Sequence, residues 1–293
     1  MTVSTAIDAS FIKHFEADVH TAYQQQGSKL KNTVRSKNNV QGSSTTFQVI
    51  GAMTATTKNR NSQITASNVT HAPVECSLTD YYAGEWVDQL DELKVGHDER
   101  KALALAGAYA LGRKTDDLII TALNTATQTA GDDTEALTKD RILSAFTTLN
   151  NNDVPDDGER YALVSPAQWN QLLSIEEFSS ANYVGDAYPM LNGSESRKWM
   201  GIVWIMHTGL PKTSTTHTCF IYHKSAVGHA SGQDIKTDIT WHGDYAAHFV
   251  NNMMSQGACL IDPKGVVKMV CLDTPPAEEA AAGEGEGAGG GGS

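Results

Sequence analysis

Two glycines followed by a base pair and a threonine, Gly107-Ala-Tyr-Ala-Leu-Gly112-Arg-Lys114-Thr115, come near a phosphate-binding loop. In such a loop backbone N–H groups cradle the phosphates, and the lysine directly follows the second glycine. Here Arg113 intervenes, and the segment sits inside a helical pattern rather than between a strand and a helix. Phosphate binding is not expected. Arg113 and Lys114 are read as pairing with Asp116 or Asp117, or as facing a neighbour. Ten histidines invite a metal reading, and His223 and His229, six apart, fall on one expected strand. At ~3.3 Å per residue they would be roughly 20 Å apart, too far for one ion. His242 with Asp244 is a weak pair. There is no GxSxG, HExxH or GxGxxG, and the carboxylates fall in turns or at helix ends. No catalytic, cofactor-binding or metal-ligating residue is assigned, and no enzymatic activity is expected.

The elements that would have positioned such groups describe an architecture instead. Residues 98–129 lack proline and are rich in helix formers; as one helix they would extend roughly 48 Å at ~1.5 Å per residue. Leu103, Ala106, Ala110, Ile120 and Leu123 share one side of it, and Asp98 and Glu99 suit its positive end. Small residues from Ala102 to Gly112 would let a sheet or another helix approach closely. Before it, Tyr81, Tyr82, Trp86, Val87 and Leu90 form an apolar cluster. Residues 6–26 read as an amphipathic helix with Ile7, Phe11, Phe15, Val19 and Tyr23 on one stripe, packing on something distant or on another subunit. From Lys29 to Arg60 there are six bases and no acid (Lys29, Lys31, Arg35, Lys37, Lys58, Arg60). Two extended segments there, near 46–50 and 74–78, flank a long polar tip and predict a projecting hairpin. A loop of that length in a compact domain usually contacts something.

Leu137–Leu149 predicts a second helix, ended by the turn at 150–158. Beyond Arg160 the pattern becomes α/β: a strand at 161–164, a helix opened by Ser165-Pro166, and strands at 201–207, 219–230 and 238–244. Residues 248–258 read as a strand or short helix. Pro263-Lys264-Gly265 reads as the turn of a hairpin. After Leu272 the chain is Gly-rich and acidic with no aromatic residue, a composition that does not order itself.

The totals agree with a folded chain of one or two domains. Net charge is −12, or about −8 without the four acids of the tail. Acidity argues against gripping nucleic acid but not against enclosing it. No run nears ~18 consecutive apolar residues, so no membrane span is expected. No secretory signal is visible. The four spread cysteines are read as reduced thiols of a protein made in a cytoplasm.

That order of elements resembles the major capsid proteins of tailed bacteriophages with the HK97-type fold, and looks closest to those of T7-like podoviruses. Similar stretches are Phe11-Ile-Lys-His-Phe15 with Val19-His-Thr-Ala-Tyr23, Val34-Arg-Ser36, and Thr46-Phe-Gln-Val-Ile-Gly51. Further along are Val154-Pro with Arg160-Tyr-x-Leu-Val-Ser-Pro166, Phe178 with Tyr183, Met200-Gly-Ile-Val203, and His223-Lys-Ser-Ala-Val-Gly228. The resemblance spans about 7–272.

It implies an α+β chain. An N-terminal arm would occupy 1–35, an extended E-loop hairpin 36–78, and a peripheral (P) domain 79–153 with a spine helix over 98–129. An axial (A) domain would occupy 154–235, a return to the P domain 236–272, and a disordered tail 273–293. It also implies a non-enzymatic protein that assembles with itself, as hexamers and pentamers, into an icosahedral head enclosing double-stranded DNA without base contacts. Expected partners are a separate scaffolding protein, because no scaffolding-like extension precedes the arm, and a portal; a decoration protein is a further candidate. Assembly would take place in the host cytoplasm. No cofactor and no covalent crosslink through Lys58 are expected. For contacts between subunits the candidates are Lys37, Lys58 and Arg60, meeting Asp88, Asp91, Glu92, Asp98 and Glu99, with Phe11 and Phe15 in the arm. The residues near 185–193 would line the capsomer centre. The alternative on the same fold is an encapsulin-like compartment enclosing a cargo enzyme; a hydrolase or a tail protein fits the pattern less well.

Overall fold

The computed structural model describes residues 24–64, 66–90, 99–131, 135–175, 178 and 196–274. The expected arm helix with Phe11 and Phe15, the acids Asp91, Glu92 and Asp98, the segment 185–193 and the tail beyond Thr274 lie outside them. The chain divides into two compact units, one from the described residues of 1–122 and 227–261, the other from those of 123–226 and 262–293.

The first unit is organised by a four-stranded sheet in the order β1 (Arg35–Lys37), β10 (Val227–His242), β11 (Ala247–Leu260), β4 (Thr79–Asp88). β1 runs parallel to β10, and the other pairings are antiparallel. Helix α1 (Glu99–Asn124) covers one face. Val250, Asn252, Met254 and Gln256 alternate along β11 and are buried, the period-two signature of a one-sided sheet. The small residues of α1 do what their size suggested. A Cβ on Gly107 would fall 2.1 Å from the Asn252 side chain, and one on Gly112 would fall 2.6 Å from Gly27 Cα.

A two-stranded hairpin, β2 (Ser44–Ile50) with β3 (His71–Ser77), stands off this sheet, paired from Ser44↔Ser77 to Ile50↔His71. Its base is fixed by Phe47 and Cys76, which join Ala230 and Ile261 in a buried cluster. The tip, 51–70, has no strand among its described residues. A turn at Asn59 is closed by the Ser62 N–H on the Asn59 carbonyl at 3.1 Å.

The second unit is a mixed sheet in the order β12 (Val266–Leu272), β9 (Thr216–His223), β5 (Arg160–Val164), β7 (Ile202–Met206), β6 (Ser196–Trp199), with β8 (Lys212–Thr213) on β9. Its core gathers Trp204, Tyr222, Phe220 and Phe178, with Phe178 edge-on to Trp199 at 5.3 Å. Helix α2 (Lys139–Asn151) is capped by Thr138, whose hydroxyl accepts the Arg141 N–H at 3.4 Å. Helix α3 (Pro166–Ser174) opens as expected, with Ser165 as cap and proline in the first turn. The buried Arg141 guanidinium binds three carbonyls, Ala130 at 3.2 Å, Glu135 at 3.0 Å and Val270 at 2.5 Å, and so ties α2 to β12.

Several expectations are corrected. The long helix stops at Asn124 rather than near Thr129. Residues 128–130 pair with β12 instead: Lys268 N–H donates to the Gln128 carbonyl at 2.9 Å, and Ala130 N–H to the Lys268 carbonyl at 2.8 Å. The strand expected over 219–230 is two strands, broken by a 3-10 turn at Lys224–Ala226. The short strand at 238–244 is the end of the much longer β10, and 248–258 is strand throughout. Pro263–Gly265 is a 3-10 turn, not a hairpin. The strands on either side join different sheets, β11 with β10 and β4, β12 with β9. Among the described residues no helix is long and apolar enough to cross a membrane.

Candidate functional site: the surfaces available for assembly

The residues of the near-phosphate loop all lie on α1, so they form a helix rather than a cradle. Lys114 donates to Asp117 Oδ2 at 2.5 Å, which holds its ammonium above the usual lysine range, and sits 5.4 Å from the Tyr81 ring centre. Arg113 Nη1 donates to Gln24 Oε1 at 2.7 Å. Asp116 is fully buried and serves another purpose. Its carboxylate accepts the N–H groups of Lys29 and Leu30 at 3.0 and 3.1 Å, together with Ser28 Oγ and Gln25 Nε2. The sequence reading missed this role. The signal was available, since Asp116 stands four and seven residues before Ile120 and Leu123 on the buried stripe.

Three of the described histidines act as structural ties. His223 Nε2 lies 3.1 Å from Asp157 Oδ1 while its Nδ1 accepts the Ser225 N–H at 3.2 Å, and His217 pairs with Asp273. Burial alone would raise the Asp273 carboxyl, but hydrogen bonds from His217, Lys212 and Gln168 bring it below its ordinary value. His229, on β10, is buried with Nε2 3.1 Å from Gln256 Oε1, which also accepts Thr115 Oγ1 at 2.8 Å. Among the described residues no three His, Cys, Asp or Glu side chains are placed to hold a metal.

What the surface offers is contact area. On the hairpin, Lys58 and Arg60 are exposed beside the turn at Asn59. Apolar side chains accompany them: Ile50 is 65%, Met53 71% and Ile64 76% exposed. Lys37 lies at the hairpin base, where its ammonium donates to Thr45 Oγ1 at 2.7 Å. The acids expected to face these bases are partly described. Asp88 at the end of β4 and Glu99 at the start of α1 line one pocket of about 380 Å3 with Trp86, Val87, Tyr245 and Ala247. Asp88 Oδ1 also accepts the Leu90 N–H at 2.7 Å. Trp86 packs at a tilt against Tyr245 at 4.8 Å and Phe249 at 4.6 Å and edge-on to His242 at 5.1 Å. The β10–β11 turn thus carries an aromatic surface around Trp86 that the sequence reading did not single out, while Trp241 and Ile239 are exposed on the other face of the sheet. Its signal was the rings on either side of Gly243, at 242, 245 and 249.

Comparison with solved structures supplies the fold. A structure from Mycobacterium phage Che8 superposes with a TM-score of 0.70 at 21% identity, covering 88% of this chain and 97% of that one. The capsid of cyanophage P-SCSP1u gives 0.71 at 16% identity, covering 91% and 94%. The capsid of Ralstonia phage GP4 gives 0.70 at 13% identity, covering 94% and 99%. No curated protein matches the sequence. The model of the phage capsid protein family matches residues 7–273. A fold shared with phage shells, a surface of unsatisfied apolar side chains and that match agree: the chain belongs to the phage capsid protein family and is a shell-forming major capsid protein with the HK97-type α+β fold.

Proposed function

We propose that this protein assembles as hexamers and pentamers into an icosahedral head that encloses double-stranded DNA. The observation that carries the reading is the hairpin. Ile50, Met53 and Ile64 are left in water by a single copy, on a loop that also holds Lys58 and Arg60. Burying an apolar side chain of this size contributes ~1.5–3 kcal/mol, so a neighbour that covers the tip gains from doing so. The neighbour's acids Asp88 and Glu99 are the partners proposed for Lys58 and Arg60, with Lys37, Asp91, Glu92, Asp98, Phe11 and Phe15 as further contacts between copies.

The peripheral domain is assigned to 79–153 and 236–272, with its E-loop over 36–78, and the axial domain to 154–235. A net charge of −12 suits a wall that encloses DNA without gripping it. The role is structural rather than catalytic. A scaffolding protein and a portal would direct assembly in the host cytoplasm, and a decoration protein is a further candidate partner. An encapsulin-like compartment is not favoured by the family match.

Negative-stain electron microscopy of the purified protein, alone and with scaffold, tests this directly. Closed shells with hexamer texture, and DNA inside shells taken from virions, are the expected result. A monomer or small oligomer under every condition would overturn it.

A further inference from the structure

The four cysteines are free thiols, and they fall into two pairs with different access to solvent. Cys219 on β9 and Cys271 on β12 are both fully buried in the second unit. Cys76 on β3 and Cys259 on β11 are the other pair. Cys76 is sealed, at 1% exposure, in the cluster with Phe47, Ala230 and Ile261, and Cys259 packs against that cluster from a half-buried position. The approach of β3 to β11 is close. A Cβ on Gly257 would fall 2.0 Å from the Ser77 carbonyl oxygen and 3.5 Å from Cys76 Sγ. Cys259 follows Gly257 by two residues, on the same face of the strand.

We propose that Cys76 and Cys259 are a disulfide-forming site that, once oxidised, locks the base of the β2–β3 hairpin onto β11. The neighbouring Cys259 side chain draws the Cys76 thiol below its ordinary value against the opposing effect of burial, while Cys259 is pushed up. A thiolate is the nucleophile in disulfide chemistry. Two S–H bonds are lost and one S–S bond forms, with two protons and two electrons passing to an oxidant such as dissolved oxygen or a diazene. The oxidant enters from the side of Cys259. In a reducing cytoplasm the pair stays as thiols. Resting on the reading that the chain is a virion shell, the lock would close only after release from the cell. It would fix the hairpin that reaches towards the neighbouring copy.

The test uses diamide at neutral pH on assembled shells and, in parallel, on the unassembled chain. Alkylation under denaturing conditions follows, then non-reducing digestion and mass spectrometry. The expected result is a fall from four alkylated thiols per chain to two, with Cys76 joined to Cys259 within one chain and Cys219 and Cys271 both alkylated. Cys259→Ser should abolish the bridge and leave Cys76 alkylated. Four alkylated thiols, a bridge between Cys219 and Cys271, or links between chains would overturn the proposal. Bridging in a chain that never forms shells would leave the proposed site standing and remove the shell reading. Shells without bridging would do the reverse.

Discussion

Asp116 Oδ1 accepts the backbone N–H of Leu30 at 3.1 Å, and both residues are sealed from solvent. A carboxylate in the middle of α1 thus organises a segment that precedes it by more than eighty residues. Asp116→Ala removes that acceptor from the N–H groups of Lys29 and Leu30, and a buried unsatisfied donor costs ~1–3 kcal/mol. A loss of about 3 kcal/mol is expected in urea unfolding of the unassembled chain, with faster tryptic cleavage at Lys29 and Lys31. Asp116→Asn should lose less. An alanine variant as stable as the parent would refute the organising role.

Gly112 lies where the same segment crosses the helix. Alanine in a helix interior is ordinarily favoured over glycine by about 1 kcal/mol. Here its Cβ would stand 2.6 Å from Gly27 Cα and 2.7 Å from Gly27 C, backbone atoms that cannot rotate aside. Gly112→Ala is therefore expected to destabilise by ~1–3 kcal/mol, the usual range for overpacking. A rise in the unfolding midpoint would show that the segment yields.

His229 gives a pH dependence with a definite sign. Burial pushes its imidazole below the ordinary 6.5, although Gln256 partly offsets this. The unfolded chain takes up the proton near pH 6.5 and the folded chain does not. Stability is complete above 6.5 and declines as pH falls towards the lower folded value, by up to ~1.4 kcal/mol per pH unit. The carboxyls of Asp157, Asp234 and Asp273 are held below their ordinary 3.8 and act only in more acid solution. Thermal unfolding at pH 7.5, 6 and 5 should show the decline in the parent chain and a flatter profile in His229→Gln.

The contacts proposed for the hairpin predict a charge swap. An exposed pair contributes ~0–1 kcal/mol, but reversing both Lys58 and Arg60 to glutamate replaces attraction by repulsion at every copy. The protein concentration needed for shell formation should rise about tenfold at low salt, equivalent to ~1.4 kcal/mol per contact, and less in high salt. Asp88→Lys with Glu99→Lys should restore it. Unchanged yield in the double reversal would remove these residues from the interface.

The features legible in the sequence were those fixed locally. The helical stripe through Leu123, the serine and proline that open α3 and the alternation of β2 need no distant partner to declare themselves. What escaped was decided by remote pairing. Nothing near Pro263 announces that β11 and β12 belong to different sheets. Nothing near Thr129 announces the carbonyl of Lys268 that draws 128–130 out of the helix. The bases and acids proposed for assembly were legible by type. The aromatic surface around Trp86 arises only when β4, β10 and β11 come together.

The pairing of β4 with β11 joins Val87 to His248. Roughly 160 residues must leave the ribosome between them, which at about 5–20 residues per second takes on the order of ten to thirty seconds. For most of that interval the nascent chain has no first sheet, no seat for the hairpin base on Ala230 and no aromatic turn. A half-made subunit therefore carries the hairpin tip and its bases before it has the sheet that holds them in place, so the order of translation sets a period in which those contact residues are present but not yet positioned.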